Sequence, residues 1–231
     1  MSTIALKRDY VKIKNEAGQV TSNGGNQCWF SKDKSCNIYG QGCGVISAVD
    51  AFIYLSSASG VSLNKYKSYV EGFLDIIAYT NLFLHDILLI HTAIGILPSQ
   101  ICKYLSRISN GKLIAKWNGI HGHKDMLSKM EAMLAMDCPV IWSLYRFKRK
   151  IQLYTFDSMS QTYKVSTLVN SHYVNAIGII QSDTANHSTM IKISSWGKLY
   201  YIDYDEYLAY VGNSLISKYC SNIVLIKKKL Q

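Results

Sequence analysis

The sequence predicts an α+β fold in which helices dominate the first part of the chain and strands the second. Apolar residues follow a helical period up to about residue 138, and after Pro139 the chain changes to short β-branched and aromatic segments between turn residues. No linker-like run of proline, serine or glycine separates the parts. We therefore expect one domain over residues 1–231, with a mainly helical lobe over about 1–138 and a mostly antiparallel β-sheet lobe over about 139–231.

The composition is that of a globular protein with a large core. Of the 231 residues, 48% are hydrophobic and 17% are charged. The 25 basic residues exceed the 15 acidic ones and give a formal net charge of +10, but they are dispersed along the chain. Because no nucleic-acid-binding motif or phosphate-binding glycine loop accompanies them, we interpret them as solvated surface and predict no nucleic-acid partner.

Membrane insertion and export are not indicated. The N-terminus lacks a basic region followed by an apolar segment, and the most apolar run, Leu82–Leu97, contains His85, Asp86 and His91. We expect no membrane span and a cytoplasmic location. The six cysteines are scattered and form no CxxC pair, which favours free thiols over a disulfide framework.

The elements before Pro139 are predicted in chain order as follows. Met1–Ser35 is polar and is expected to form extended segments and loops. A helix is predicted over about Gly44–Ser57, and two or three more are predicted within Ser62–Ser109, one of which begins near Pro98. A short strand over Lys112–Trp117 and an amphipathic helix over Asp125–Met136 complete this part.

The segments after Pro139 are predicted to be strands, with one short helix over about Asp203–Val211. Each strand segment is rich in β-branched or aromatic residues and is bounded by turn residues. The predicted strands are Val140–Tyr145, Lys150–Phe156, Thr162–Val169, His172–Ile180, Met190–Ser195, Leu199–Ile202 and Asn222–Ile226. A cleft between the helices and this sheet is a natural place for a site.

Cys43 is the candidate nucleophile. It stands in a glycine-rich turn at the start of the helix, whose Val45, Val49, Phe52 and Ile53 share one apolar face. Unpaired backbone N–H groups and the positive end of the helix dipole stabilise a thiolate there, and they also bind oxyanions. The alternative is a structural cysteine that is buried after a tight turn.

His172 is the candidate general base, because it heads a predicted strand on the sheet side of the cleft. It would take the Cys43 proton and return it to the leaving group, and we expect the pair to rest as thiolate and imidazolium. His121 and His123 could hold a metal, but no third ligand lies nearby, so we interpret them as a polar turn. No metal or cofactor is predicted.

Three motifs together resemble the papain-like cysteine peptidase superfamily. They are Gly42-Cys43-Gly44 before an apolar helix, His172-Tyr173-Val174 at the start of a strand, and Ser194-Ser195-Trp196-Gly197 at the end of the next. The combination is most similar to compact bacterial members without a prodomain, including relatives of the bacteriocin-leader peptidases. The resemblance covers Gln27 to about Tyr207.

The resemblance implies a papain-like fold and roles for four residues. Cys43 is the nucleophile, and His172 is the general base and acid. Ser194 occupies the position of the family's asparagine or aspartate, which orients the histidine, and a serine gives less charge stabilisation than a carboxylate. Gln27 is our choice for the family's oxyanion-hole glutamine, with residues 31–40 as a loop; the alternative is a surface loop amide.

The function that the resemblance implies is hydrolysis of a peptide or amide bond through a thioester on Cys43, with a peptide or protein as substrate. Two alternatives remain. The acyl group could pass to an amine instead of water, which would make the protein an acyltransferase. A papain-like domain could also bind a peptide or partner without turnover, an interpretation that Ser194 in place of asparagine keeps open.

Overall fold

The computed structural model shows a mixed fold of helices and a large antiparallel sheet, which confirms the α+β class. It describes residues 2–30, 38–58, 60–79, 95–182 and 187–229. His85, His91 and most of the apolar run Leu82–Leu97 lie outside the described residues, as does most of the predicted loop over 31–40.

The elements are named here in chain order. The strands are β1 (Ser2–Ala5), β2 (Lys12–Lys14), β3 (Val20–Asn23), β4 (Gly60–Ser62), β5 (Leu113–Trp117), β6 (Val140–Leu144), β7 (Ile151–Asp157), β8 (Thr162–Val169), β9 (His172–Gln181), β10 (Thr189–Ser195), β11 (Lys198–Asp203) and β12 (Ile223–Lys228). The α-helices are α1 (Ile38–Gln41), α2 (Cys43–Leu55), α3 (Leu63–Tyr79), α4 (Pro98–Ile108), α5 (Met126–Ala135), α6 (Tyr204–Val211) and α7 (Leu215–Cys220). Short 3-10 turns occur at Gln27–Trp29 and Gly119–His121.

The large sheet is antiparallel and has β9 near its middle. Its strand order is β5-β12-β6-β9-β10-β11-β7-β8, and β1 also pairs with β9. β6 pairs with the first part of β9, from His172 to Ala176, and β1 pairs with the last part, where Ser2 lies opposite Gln181. A second, smaller sheet has the order β3-β2-β4, in which β2 and β4 are parallel.

Helices and strands are less strictly segregated along the chain than the sequence predicts. All predicted strands after Pro139 are present, and β8 has the predicted bounds. However, β1 and β5 come from the first part of the chain and join the large sheet, while α7 lies in the second part. The β1–β9 pairing joins residues far apart in sequence, so no local pattern indicates it.

The helix α2 lies in the core and contacts β9, β6, α3 and α4. Val45, Val49 and Ile53 of the predicted apolar face are fully buried, and Phe52 is half-buried. Because other elements surround α2, its polar residues Ser47 and Asp50 are buried as well. This packing fixes the N-terminal end of the helix, where Cys43 stands.

The structure also bears on the predicted free thiols and on the predicted absence of a membrane span. The five cysteines within the described residues are free, namely Cys28, Cys43, Cys102, Cys138 and Cys220. Among the helices that the structure describes, none combines the length and apolar character needed to cross a bilayer.

Candidate active site

A small cavity lies where the start of α2 meets the start of β9 and the end of β10. Its lining residues are Gly25, Gln27, Cys43, Ile46, Ser47, Asp50, His172, Tyr173, Ser194, Ser195 and Trp196. Its volume is about 10 Å³, which is close to the space that one water molecule requires. All four site residues predicted from the sequence therefore meet at one place, although they come from separate parts of the chain.

Cys43 is the first residue of α2, as predicted, and Gly42 is its N-cap. The N-cap provides no side-chain hydrogen bond to the first turn, whose Cys43 and Gly44 N–H groups instead face the Cys43 sulfur. Close packing leaves little room for a side chain at either flanking glycine. A Cβ at Gly42 would meet the Ile38 carbonyl, and one at Gly44 would lie 3.1 Å from side-chain atoms of Ile96 and Tyr173.

The surroundings of Cys43 favour the thiol over the thiolate. Burial raises the pKa of the Cys43 thiol, and backbone N–H groups of Tyr173, Gly44 and Cys43 itself lower it only in part. The side chain keeps some exposed surface, yet the packed groups around the sulfur exclude enough water for desolvation to dominate. At neutral pH the sulfur therefore carries its proton.

His172 is buried at the start of β9, with 7% of its surface exposed. The Trp196 ring stacks on the imidazole at a centroid distance of 4.4 Å and an interplanar angle of 24°. Burial lowers the pKa of His172 to about 4, so the imidazole is neutral at pH 7. Both shifts oppose the predicted resting pair of thiolate and imidazolium, because desolvation disfavours both charged forms.

The hydroxyl that contacts His172 belongs to Ser195. Its Oγ lies 2.7 Å from Nε2 of His172, whereas Ser194 Oγ donates to the Asn23 carbonyl at 2.9 Å. The prediction that Ser194 orients the imidazole is thus wrong by one residue. Successive side chains in a strand point in opposite directions, so only one of two adjacent serines can face the ring.

Gln27 lines the cavity from the first position of a 3-10 turn. The turn is capped by Asn26, whose side chain accepts a hydrogen bond from the Cys28 N–H at 2.9 Å. Nε2 of Gln27 donates to the Tyr39 carbonyl at 2.8 Å. Because a primary amide carries two N–H donors, this bond leaves a second N–H. The role of Gln27 as an oxyanion donor stays a prediction.

Asp50 is a cavity residue to which the sequence analysis gave no role. It is 2% exposed, and its carboxylate accepts the Gly25 N–H and the Tyr66 hydroxyl. Burial raises the pKa of Asp50 to about 7, against the lowering effect of the Tyr66 and Gly25 hydrogen bonds. A signal was present in the sequence: Asp50 follows Cys43 by seven residues, about two helical turns, and is the one charged residue of a mostly apolar helix.

Two groups of side chains carry atoms of the kind that bind metals. His123 Nε2 lies 2.7 Å from the Ser221 carbonyl, while His121 is exposed. His187, Asp203 and Glu206 place ligand atoms within 4.8 Å of one another, the one such trio found among the described residues. These atoms already bind other side chains of the protein. His187 Nδ1 lies 2.5 Å from Asp203 Oδ2, and the Tyr154 hydroxyl donates to Glu206. The prediction that no metal is needed stays a prediction.

Comparison with protein-family models gave no match, and a search of curated proteins found no similar sequence. The resemblance to papain-like peptidases comes from the three sequence motifs, whose residues line one cavity.

Proposed function

We propose that this protein is a papain-like cysteine hydrolase that cleaves a peptide or other amide bond through a thioester on Cys43. One observation carries the proposal: Gln27, Cys43, His172 and Ser195 come from four separate segments and line the same cavity. A nucleophile at a helix N-terminus, a histidine on a neighbouring strand and a hydroxyl on that histidine form the arrangement that thiol catalysis needs.

The first step begins from neutral groups. Nε2 of His172 is engaged by Ser195, so we assign the proton to Nε2 and the base function to Nδ1. As the Cys43 sulfur bonds to the substrate carbonyl carbon, its proton moves to Nδ1 and the carbonyl π electrons move to oxygen. The resulting tetrahedral intermediate carries the oxyanion, and His172 becomes imidazolium.

The later steps return the proton and release the acyl group. The imidazolium gives its Nδ1 proton to the amine nitrogen as the carbon–nitrogen bond breaks, which leaves a thioester. A water molecule then attacks the thioester carbon while His172 takes a proton from it. When the second tetrahedral intermediate collapses, the Cys43 sulfur leaves and regains a proton from His172, and the carboxylic acid departs.

Two N–H donors are suited to the oxyanion in both intermediates. The backbone N–H of Cys43 lies in the first turn of α2, and the second amide hydrogen of Gln27 belongs to a group that lines the cavity. One such donor contributes roughly 3 kcal/mol to catalysis. The cavity is large enough for a carbonyl oxygen or a water but not for a peptide, so the rest of the substrate must lie outside it.

The test uses p-nitrophenyl acetate, an activated ester that acylates cysteine nucleophiles. We expect a burst of p-nitrophenolate and a single acetylated peptide containing Cys43, identified by mass spectrometry. Cys43→Ala should abolish the burst. Cys28→Ser, which removes an exposed free thiol, should leave it unchanged.

Acetylation that persists in Cys43→Ala, or that is spread evenly over the thiols, would refute the proposal. The same assay with an added primary amine separates hydrolysis from acyl transfer. Acetate as the main product supports the hydrolase, and an acetylated amine supports the acyltransferase alternative.

A further inference from the structure

Asp50 connects the helix of the nucleophile with the segment that carries Gln27. Both of its carboxylate oxygens lie 3.0 Å from the Gly25 backbone nitrogen, so this N–H is shared between them. The Tyr66 hydroxyl donates to Oδ1 at 2.7 Å. Since Gly25 precedes Gln27 by only two residues, the carboxylate holds the backbone immediately before the proposed oxyanion donor.

The two glycines of this segment fit the carboxylate so closely that a side chain is excluded. Gly24 has φ +85°, and a Cβ there would lie 2.6 Å from both Asp50 Oδ2 and Ser194 Oγ. A Cβ at Gly25 would overlap the Tyr66 ring. The backbone therefore passes between α2 and β10 in direct contact with Asp50.

Other hydrogen bonds fix the segment on its remaining sides. The Gly24 N–H donates to the Val11 carbonyl at 2.7 Å, and the Asn26 side chain donates to the Trp196 carbonyl at 3.2 Å. These bonds attach the segment to the loop before β2 and to the end of β10. The bond from Gly25 attaches it to α2, and so determines how the Gln27 turn lies relative to Cys43.

Burying a carboxyl group to make this structural contact costs free energy. Asp50 is 2% exposed, and within the described residues it forms no ion pair. Burying an ionisable group without a cation is unfavourable, and such groups are found at functional sites more often than elsewhere. The hydrogen bonds explain why an aspartate occupies this position. Both carboxylate oxygens accept the Gly25 N–H, and Oδ1 also accepts the Tyr66 hydroxyl.

We propose that Asp50 is a positioning residue of the active site, which holds the Gly24–Gln27 segment so that the Gln27 amide faces the reacting carbonyl. It acts through Gln27. This inference rests on the proposed function of Cys43.

The first test needs no substrate. Amide hydrogen exchange in the unmodified protein should show Gly25 as strongly protected as the amides of α2. In Asp50→Asn, an NH₂ group that cannot accept replaces one of the two oxygens on the Gly25 N–H, and we expect the Gly25 amide to exchange at least about tenfold faster, with β9 amides unchanged. Tyr66→Phe, the matched control, should leave Gly25 protected. Unprotected Gly25 in the unmodified protein would overturn the inference.

The second test measures whether Asp50 acts through Gln27. With p-nitrophenyl acetate, Asp50→Asn should lower kcat about tenfold and change KM less than about twofold, as expected for a lost transition-state interaction. In a double-mutant cycle, adding Asp50→Asn to Gln27→Ala should cause little further loss. If Asp50 has only a structural role, the kcat losses of Asp50→Asn and Gln27→Ala multiply in the double variant.

The outcomes separate this inference from the proposed function. If the unmodified protein acetylates at Cys43 but Asp50→Asn has an unchanged kcat, or its loss multiplies with that of Gln27→Ala, the positioning role alone is refuted. If the unmodified protein is not acetylated at Cys43, both the proposed function and the positioning role are refuted.

Discussion

The two walls of the cavity are built in different ways. The sheet wall consists of His172, Ser195 and Trp196. Paired backbone holds its two strand residues, since His172 lies opposite Leu144 of β6 and Ser195 lies opposite Lys198 of β11. The loop wall is the Gly24–Gln27 segment, which belongs to no strand. Side chains hold it, through the bonds of Asp50, Asn26 and Gln27.

This difference predicts how each wall responds to substitution. In the sheet wall, the backbone ladder keeps neighbouring groups in place when one side chain is truncated, so a substitution removes one chemical role. In the loop wall, a truncated side chain also releases the backbone that presents the oxyanion donor. Activity measurements on single-residue variants, and the reactivity of the Cys43 thiol, test this distinction.

Removing the base should have the largest effect. We expect His172→Ala to lower kcat for p-nitrophenyl acetate by about 10³-fold, within the range that general acid–base groups contribute. His187→Ala is the matched control, because His187 does not line the cavity, and it should retain full turnover. A loss of less than about tenfold in His172→Ala would contradict the proposed base.

Removing the oxyanion donor of the loop wall should have the next largest effect. Gln27→Ala should reduce kcat about 10²-fold with little change in KM, because the lost hydrogen bond forms mainly in the transition state. Gln41, at the end of α1, is the matched amide. An equal loss in Gln41→Ala would show that the effect is not specific to the proposed oxyanion hole.

The two adjacent serines provide a finer test of the sheet wall. Ser195→Ala removes the hydroxyl on His172 Nε2 and should lower kcat about tenfold, the value of one neutral hydrogen bond. Ser194→Ala removes only the bond to the Asn23 carbonyl, and we expect a loss below about threefold. A larger loss of kcat in Ser194→Ala than in Ser195→Ala would indicate that Ser194 orients the imidazole.

The smallest expected effect is on the alkylation rate of the Cys43 thiol in the protein without substrate. Because burial raises the pKa of Cys43, its thiolate fraction at any pH below that value is smaller than that of a free thiol. Alkylation of Cys43 by iodoacetamide at pH 6 should therefore be no faster than that of N-acetylcysteine, and should still increase above pH 9. A fast, pH-independent rate near pH 6 would demonstrate a resting thiolate.

The contrast between the walls also explains what the sequence could predict. The β9 and β10 segments carry β-branched residues between turns, so their position and the placement of His172 at a strand start followed from local pattern. The choice between Ser194 and Ser195 did not, because it depends on side-chain direction at a strand end. There Trp196 and Gly197 have φ values of 48° and 73°, and the chain turns sharply.

The loop wall was harder to predict because its contacts join distant residues. Cys43 was found from the glycine-rich turn and the apolar helix, and Gln27 from the resemblance. The role of Asp50 depends on Gly25, 25 residues earlier in the chain, and on Tyr66 in another helix. The opposite pKa shifts of Cys43 and His172 depend on burial, which a helix N-terminus alone does not indicate.

A crystal structure of the protein treated with N-acetylglycinal, a small peptide aldehyde, would test the central claim most directly. The aldehyde mimics a scissile carbonyl and forms a hemithioacetal with a nucleophilic thiol. We expect a covalent bond to Cys43, with the hemithioacetal oxygen within hydrogen-bonding distance of the Cys43 N–H and of Nε2 of Gln27. An aldehyde bound to another cysteine, or an oxygen directed away from both donors, would contradict the proposed site.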